Sequence, residues 1–169
     1  MHARQVITID QLTEVENLYP AFDATAFTTA EFTFGNSPND WTRNTYDEFG
    51  SVRIVTTLGE YGPYSSWLMY WHEEEGDRMV IYCPPGTTVL IPGSVVRWGF
   101  TALKKGDTRY TFQQYFNAAV GRWVDQGFRS DADFAKKATA EEWNLYEDAR
   151  FERVESRMRL FSKLEELFV

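Results

Sequence analysis

The sequence predicts a mainly β domain, a sandwich or a barrel, followed by C-terminal helices. Three observations predict it. Between residues 49 and 116, short runs of β-branched and aromatic residues recur at regular intervals, bounded by Gly, Pro or acidic turn residues. Aromatic residues make up 17% of the 169 residues, as 13 Phe, 9 Tyr and 6 Trp. Such large flat side chains suit a sheet-rich core or an aromatic-lined cavity. The last third then changes to helical periodicity.

The elements follow in order. Val6-Ile7-Thr8-Ile9 reads as a short strand, Asp10 as an N-cap for a helix over Gln11 to Leu18, and Pro20 as its stop. Ala26 to Phe34 alternates around Phe27, Phe32 and Phe34 and reads as a strand, followed by a polar loop to Asn44. Ser51 to Leu58 is the next strand. Trp67–Trp71 and Met79–Tyr82 flank His72-Glu73-Glu74-Glu75-Gly76-Asp77 as a β-hairpin with an acidic tip. Thr87–Ile91, Val95–Ala102 and Arg109–Phe116 are separated by the Pro92-Gly93 and Lys104-Lys105-Gly106-Asp107 turns. Ala118 to Gln126 reads as a short helix, and Ser130 to Asp133 as a polar break. Thr139 then caps a long helix, with Glu142 at the capping-box position. That helix is expected to reach Leu167, with Val154, Met158, Phe161 and Leu164 as its apolar stripe. The stripe can pack on the β domain or make a homodimer. The expected organisation is an N-terminal strand and helix segment over 1–25, a β domain over 26–128, and a helical extension over 129–169.

Composition excludes several classes. A hydrophobic content of 43% fits one domain with a packed core, not a disordered chain. The net charge of -8 argues against general nucleic-acid coating, which needs clustered Lys and Arg. Cys83 is the single cysteine, so no internal disulfide forms and a reducing compartment fits. The start of the chain shows no leader-like apolar run, and no stretch approaches the roughly 20 apolar residues that span a bilayer. The expectation is an intracellular protein, cytoplasmic or nuclear, with no membrane partner.

The chemistry-bearing residues are few. There is no glycine-rich phosphate loop and no Gly-x-Ser-x-Gly elbow. With two His and one Cys, a Cys/His zinc site does not assemble. His72 with Glu73, Glu74 and Glu75 is either a divalent-metal site or an exposed hairpin tip. Strand alternation keeps the four from converging. Arg109 opens a strand, where its guanidinium either holds a carboxylate bidentately at a barrel mouth or makes a surface ion pair. Arg97 carries the same two readings, while Lys104 and Lys105 read as solvated. Trp67, Tyr70, Trp71, Trp98 and Phe100 either line a ligand pocket or pack as core. Cys83, between Tyr82 and Pro84, reads as an inert buried thiol.

Pro84-Pro85-Gly86-Thr87-Thr88-Val89-Leu90-Ile91-Pro92-Gly93 is followed by Arg97-Trp98-Gly99-Phe100-Thr101-Ala102, Arg109-Tyr110-Thr111-Phe112-Gln113-Gln114-Tyr115 and Gly121-Arg122-Trp123-Val124. From about Gly50 onward this run resembles a group of mushroom-type fungal proteins. These are similar to the TET/J-binding-protein branch of Fe(II)/2-oxoglutarate dioxygenases. The resemblance implies a double-stranded β-helix, a cupin-like jelly roll, here expected over Ala26 to Phe116. In such enzymes a His-x-Asp/Glu pair and a later His hold iron, and a basic residue beyond binds 2-oxoglutarate. The later His is expected within Val96 to Gly99, where Trp98 stands. The pair is expected around Asn39 to Asp47, which contains no His. Arg109 matches the 2-oxoglutarate anchor. The resemblance therefore implies a lost metal site and a retained carboxylate anchor, with no iron and no cofactor.

Three functions remain open on these residues. The leading one is a non-catalytic domain binding a small carboxylate, an aromatic ligand or a macromolecular partner through Arg109, Arg97, Trp98, Tyr110 and Trp67. The second is an enzyme of altered chemistry that adds Asp47 or His72 to that mouth. The third is an oligomerising module working through the C-terminal helix.

Overall fold

The computed structural model describes residues 2–22, 25–35, 41–71 and 78–158. Among the described residues, seven strands form two open antiparallel sheets. The strands are β1 (Thr29–Thr33), β2 (Arg53–Glu60), β3 (Trp67–Trp71), β4 (Arg78–Tyr82), β5 (Thr88–Ile91), β6 (Arg97–Phe100) and β7 (Thr108–Tyr115). The four-stranded sheet runs β1-β7-β2-β5, and the three-stranded sheet runs β4-β3-β6. A single bridge, Thr42 to Trp98, continues the smaller sheet beyond β6. The helices are α1 (His2–Glu16), α2 (Ala118–Asp125), α3 (Asp131–Lys137) and α4 (Ala140–Met158).

Strand alternation builds the core. On β2 the odd positions Arg53, Val55 and Thr57 are buried, and on β7 so are Arg109, Thr111 and Gln113. Val55, Val89 and Ile91 from the larger sheet meet Leu68, Cys83, Val96, Trp98 and Phe100 in one apolar cluster. Fully burying each large apolar side chain is worth roughly 1.5–3 kcal/mol. The space between the sheets is thus filled by side chains. One glycine is required at the pairing of β2 with β7. Gly59 sits opposite Arg109 with φ +122°, and a Cβ there would collide with the Thr108 carbonyl oxygen.

The expected N-terminal strand is instead the middle of α1. Gln5, Thr8, Ile9 and Leu12 are buried at helical spacing, while Val6 and Ile7 face solvent. Ile9 and Leu12 pack on Val124 of α2, against Val120, Trp123 and Phe128. Tertiary burial has overridden the β preference of Val and Ile. Asp10 is therefore inside the helix. The helix ends before Pro20, at Asn17, which takes the left-handed conformation with φ 53°.

The expected polar break is also a helix. Ser130 accepts from the Asp133 amide as the N-cap of α3, whose acidic first turn and Lys136/Lys137 last turn suit the helix dipole. Phe134 is its buried residue, against Trp143 and Tyr146. The α4 capping box forms as expected: Thr139 Oγ1 accepts from the Glu142 amide at 3.1 Å, and Glu142 Oε2 accepts from the Thr139 amide at 2.8 Å. Of the expected stripe, Val154 is exposed, while Phe161 and Leu164, like the expected helix end at Leu167, lie outside the described residues. No described helix is long and apolar enough to cross a membrane.

Candidate functional site

The interior positions matter first, because an iron site would sit there. Trp98 is buried, and its indole Nε1 donates to Asn44 Oδ1 at 2.6 Å. Thr42 and Trp98 exchange backbone hydrogen bonds of 3.0 Å. The stretch expected to carry the His-x-Asp pair therefore lies against the strand expected to carry the later His, and the two meet through a carboxamide and an indole. Asp47 is the carboxylate nearby in sequence. It is engaged by Arg53, whose Nε reaches Oδ2 at 3.0 Å and whose Nη2 reaches Oδ1 at 2.6 Å. A facial triad needs two imidazoles and a free carboxylate, and these residues do not fit one. Among the described residues no three His, Cys, Asp or Glu side chains are grouped to hold a metal ion. His72 and the acidic tip lie outside the described residues.

Arg109 is 1% exposed and faces the interior. Its Nη1 donates to Ser66 Oγ at 3.0 Å and to the Thr101 carbonyl at 3.2 Å, and its guanidinium lies 4.4 Å from the Phe100 ring centroid. Burial pushes its pKa down, with Tyr61 and Cys83 opposing. Tyr61 donates to the Cys83 carbonyl at 3.1 Å, and burial raises its pKa. Cys83 is buried, and burial pushes its thiol up, away from the thiolate. Arg109 thus ties β7 of one sheet to the ends of β3 and β6 in the other.

The outer face of the three-stranded sheet is built differently. Leu68, Tyr70, Trp98 and Phe100 point inward, so Trp67, Met69 and Trp71 of β3 point outward. Arg78, Val80 and Tyr82 are their partners on β4, and Arg97 is the partner of Trp71 on β6. Loop aromatics extend the row at both ends. Tyr64, 79% exposed, stacks on Tyr82 at 5.4 Å, and Tyr82 tilts against Trp67 at 5.3 Å. Trp41 meets Trp71 edge-on at 6.4 Å, and Arg78 lies 5.9 Å from the Trp71 ring centroid. At a strand rise of about 3.3 Å per residue, Trp67 and Trp71 stand about 13 Å apart. Partial desolvation and the neighbouring Tyr64 and Tyr61 hydroxyls raise the Tyr82 pKa, so it stays a neutral phenol near pH 7.

The five residues expected to share a site are divided by this geometry. Arg109 and Trp98 are inside. Trp67 and Arg97 are on the outer face of the smaller sheet. Tyr110 is on the outer face of the larger sheet, beside Phe34 at 6.1 Å. Sequence reasoning missed Trp41, Tyr64, Tyr82 and Arg78. Parity separates residues 67, 69 and 71 from residue 70, and the hairpin register adds Tyr82 and Arg78 opposite Trp67 and Trp71, while no sequence signal places the loop residues Trp41 and Tyr64.

A second concavity, about 240 Å³, lies between α2, α4 and the loop around Thr45. Its charges are mixed: Arg122, Arg150 and Arg153 face Asp47, Glu48 and Asp125, and Arg153 already pairs with Asp125 at 3.4 Å.

No family model matches the chain, and no curated protein matches it. Solved structures do. The hydroxypropylphosphonic acid epoxidase from S. wedmorenis is 17% identical at a TM-score of 0.32, over 52% of this chain and 41% of that one. Its complex with fosfomycin is 16% identical at a TM-score of 0.33, over the same shares of 52% and 41%. An Fe(II) form with the alternative substrate (S)-1-HPP is 15% identical at a TM-score of 0.33, over 52% of this chain and 40% of that one. The chain thus spans about two fifths of the length of these enzymes.

Proposed function

We propose that this chain is a non-catalytic double-stranded β-helix domain, jelly-roll and cupin-like, that binds a partner through the outer face of its three-stranded sheet. The winding of the chain supports the fold. From β1 it passes to Thr42 in the smaller sheet, back to β2, across to β3 and β4, back to β5, across to β6 and back to β7. Such crossing between two facing sheets is how a jelly roll closes without a helix between strands.

One observation carries the function. The interior position expected for the later histidine holds Trp98, hydrogen-bonded to Asn44, and apolar packing surrounds it. In this reading Arg109 is an internal strut between the sheets, not a ligand anchor. Recognition is left to Trp67, Arg97 and their exposed neighbours, and no cofactor takes part. The test is turnover. The purified chain, supplied with Fe(II), ascorbate and 2-oxoglutarate, should form no succinate above a protein-free control. Succinate formation lost in His72→Ala would overturn the reading and favour an enzyme of altered chemistry.

A further inference from the structure

We infer that two copies of this chain associate through the outer face of the four-stranded sheet, packing that face against itself about a two-fold axis. This surface is distinct from the one proposed for recognition, and neither depends on the other.

Register defines the face. Arg53, Val55 and Thr57 on β2 and Arg109, Thr111 and Gln113 on β7 point inward, so the residues that alternate with them point outward. They form three cross-strand rows. Tyr110 and Leu58 face each other at one end, with Phe34 beside Tyr110. Phe32, Phe112, Thr56 and Thr88 cross the middle, and Ala30, Gln114, Ile54 and Leu90 cross the other end. None of these is Asp, Glu, Lys or Arg, in a chain where 25% of residues are charged. The outward row of such a sheet is normally polar. The nearest charges in register stand beyond the Tyr110 end. They are Glu60, opposite Thr108, and Lys104, Lys105 and Asp107 of the turn into β7, so the two signs balance there.

The face is also large enough. Phe22 meets Phe112 edge-on at 5.5 Å, which places it on the same face. Phe22, Phe32, Phe34 and Tyr110 are 43%, 56%, 80% and 40% exposed. At about 200 Å² for a whole aromatic side chain, these four leave roughly 440 Å² open. With exposed Leu58 and Leu90 and the half-buried side chains between them, the area comes to roughly 800 Å². That is about what one partner contributes to a stable interface, and it exceeds the roughly 300–600 Å² of the largest patch on an ordinary monomer.

Chemistry selects the occupant. Thr56 Oγ1 and Thr88 Oγ1 hydrogen-bond each other at 2.9 Å, and Gln114 Nε2 donates to Thr25 Oγ1 at 3.5 Å. The polar groups of the face are thus turned to one another, and drying the face costs little. A sugar, a nucleic acid or a charged peptide finds no ion to pair with on it. An anionic bilayer repels a chain of net charge -8 that has no basic cluster on this face. A second copy carries the same net charge, so like charges oppose contact elsewhere, and a charge-free face is where self-association costs least. Being apolar and satisfied within itself, the face complements its own copy in an isologous pair. The two sheets would stack about 10 Å apart with strands aligned within about 30°, as in a β-sandwich.

The experiment is sedimentation equilibrium of the full chain from micromolar to millimolar concentration. The mass should rise from 19.7 kDa toward twice that value. Added salt should tighten the dimer, because it screens the like net charges and meets no ion pair within the interface. Leu90→Lys and Phe32→Lys each enter a two-fold interface twice, and each should raise the dimer dissociation constant at least tenfold. Phe151→Lys, on exposed α4, should leave it unchanged. Far-ultraviolet dichroism reports that the variants are folded. A dimer broken by Phe151→Lys and untouched by Leu90→Lys would assign association to the helix and overturn the inference. So would the mass of one chain at every concentration. In that case flotation with neutral phosphatidylcholine vesicles, lost in Leu90→Lys, would identify lipid as the occupant instead.

Discussion

Replacing Asp47 by alanine should cost about 3 kcal/mol of stability. Arg53 and Asp47 are both buried, with side chains 3% and 1% exposed. The pair is bidentate at 3.0 and 2.6 Å, the remaining Arg53 Nη1 donates to Gln113 Oε1 at 2.7 Å, and the guanidinium stacks 3.8 Å from the Tyr115 ring centroid. Removing the carboxylate leaves a buried cation short of two acceptors, which typically costs about 3–5 kcal/mol. Glu31 stands 3.6 Å from Arg53 Nη1, but it is half exposed and returns about 0–1 kcal/mol at most. The low end of the range is therefore expected. For a chain of this size, about 2–4 °C per kcal/mol converts this to a Tm lowered by about 6–12 °C. Urea unfolding and calorimetry of Asp47→Ala, Arg53→Met and the double variant would measure it. Replacing both partners should cost less than the sum of the single changes, since no bare charge is left inside. An Asp47→Ala chain within 1 kcal/mol of the parent, or strictly additive single changes, would refute the reasoning. The effect also reaches the candidate site, because Asp47 anchors the loop that begins at Trp41; the near-ultraviolet dichroism of the variant should weaken before it unfolds.

Three further outcomes are expected. Arg109→Lys keeps the charge but loses the planar guanidinium that lies on the Phe100 ring and places Nη1 between Ser66 and the Thr101 carbonyl, and should destabilise by about 1–3 kcal/mol in urea unfolding, while Arg109→Met should be the milder change; a lysine variant as stable as the parent would contradict the strut. Gly59→Ala should lower stability by about 3 kcal/mol or prevent soluble expression, because left-handed strain and collision with Thr108 act together; a stable, soluble variant would show that β2 and β7 can part there. Glu142 is held below the ordinary glutamate range, first by the Thr139 amide and then by Arg129. Because its folded value is depressed, its contribution is present above the unfolded value and is lost as pH falls through the folded one. The first turn of α4 should therefore fray in acid, read from the Thr139 amide and Trp143 indole shifts, and Glu142→Gln should flatten that profile; superimposed profiles would rule this out.

Turn chemistry made much of the fold readable in advance. The Trp67–Trp71 hairpin strand falls where expected, and the strand expected over Met79–Tyr82 gains only Arg78. β5 and β7 fall within a residue of expectation, because Pro84-Pro85-Gly86, Pro92-Gly93 and Lys104 to Asp107 leave little freedom in where a strand starts. β6 is shorter than expected at both ends, since Pro92 to Val96 forms a turn with bonds back to the Pro92 carbonyl. The helix expected from Gln11 is the second half of α1, while the first half of α1 and the short α3 are not legible as helix because packing on other elements holds them. α1 is helical because α2 receives Ile9 and Leu12, and α3 is held by Phe134 under Trp143.

The candidate site was half legible for a reason within β3 itself. Trp67-Leu68-Met69-Tyr70-Trp71 is apolar at every position, so alternation offers no contrast to say which face is core. Trp67, Tyr70, Trp71, Trp98 and Phe100 therefore looked like one aromatic group. Register separates them: Leu68 opposite Phe100 and Tyr70 opposite Trp98 define the inside, and Trp67 and Trp71 are left outside. In an antiparallel sheet that faces solvent on one side, the outward row is normally polar. Here it is tryptophan, methionine and tryptophan, flanked by arginines, and continued by loop tyrosine and tryptophan. Trp67, Met69, Trp71 and Tyr82 are half-buried in that position, so the row is partly covered by the chain itself, and the partner proposed for this face meets the area that stays exposed around Tyr64, Arg78 and Val80.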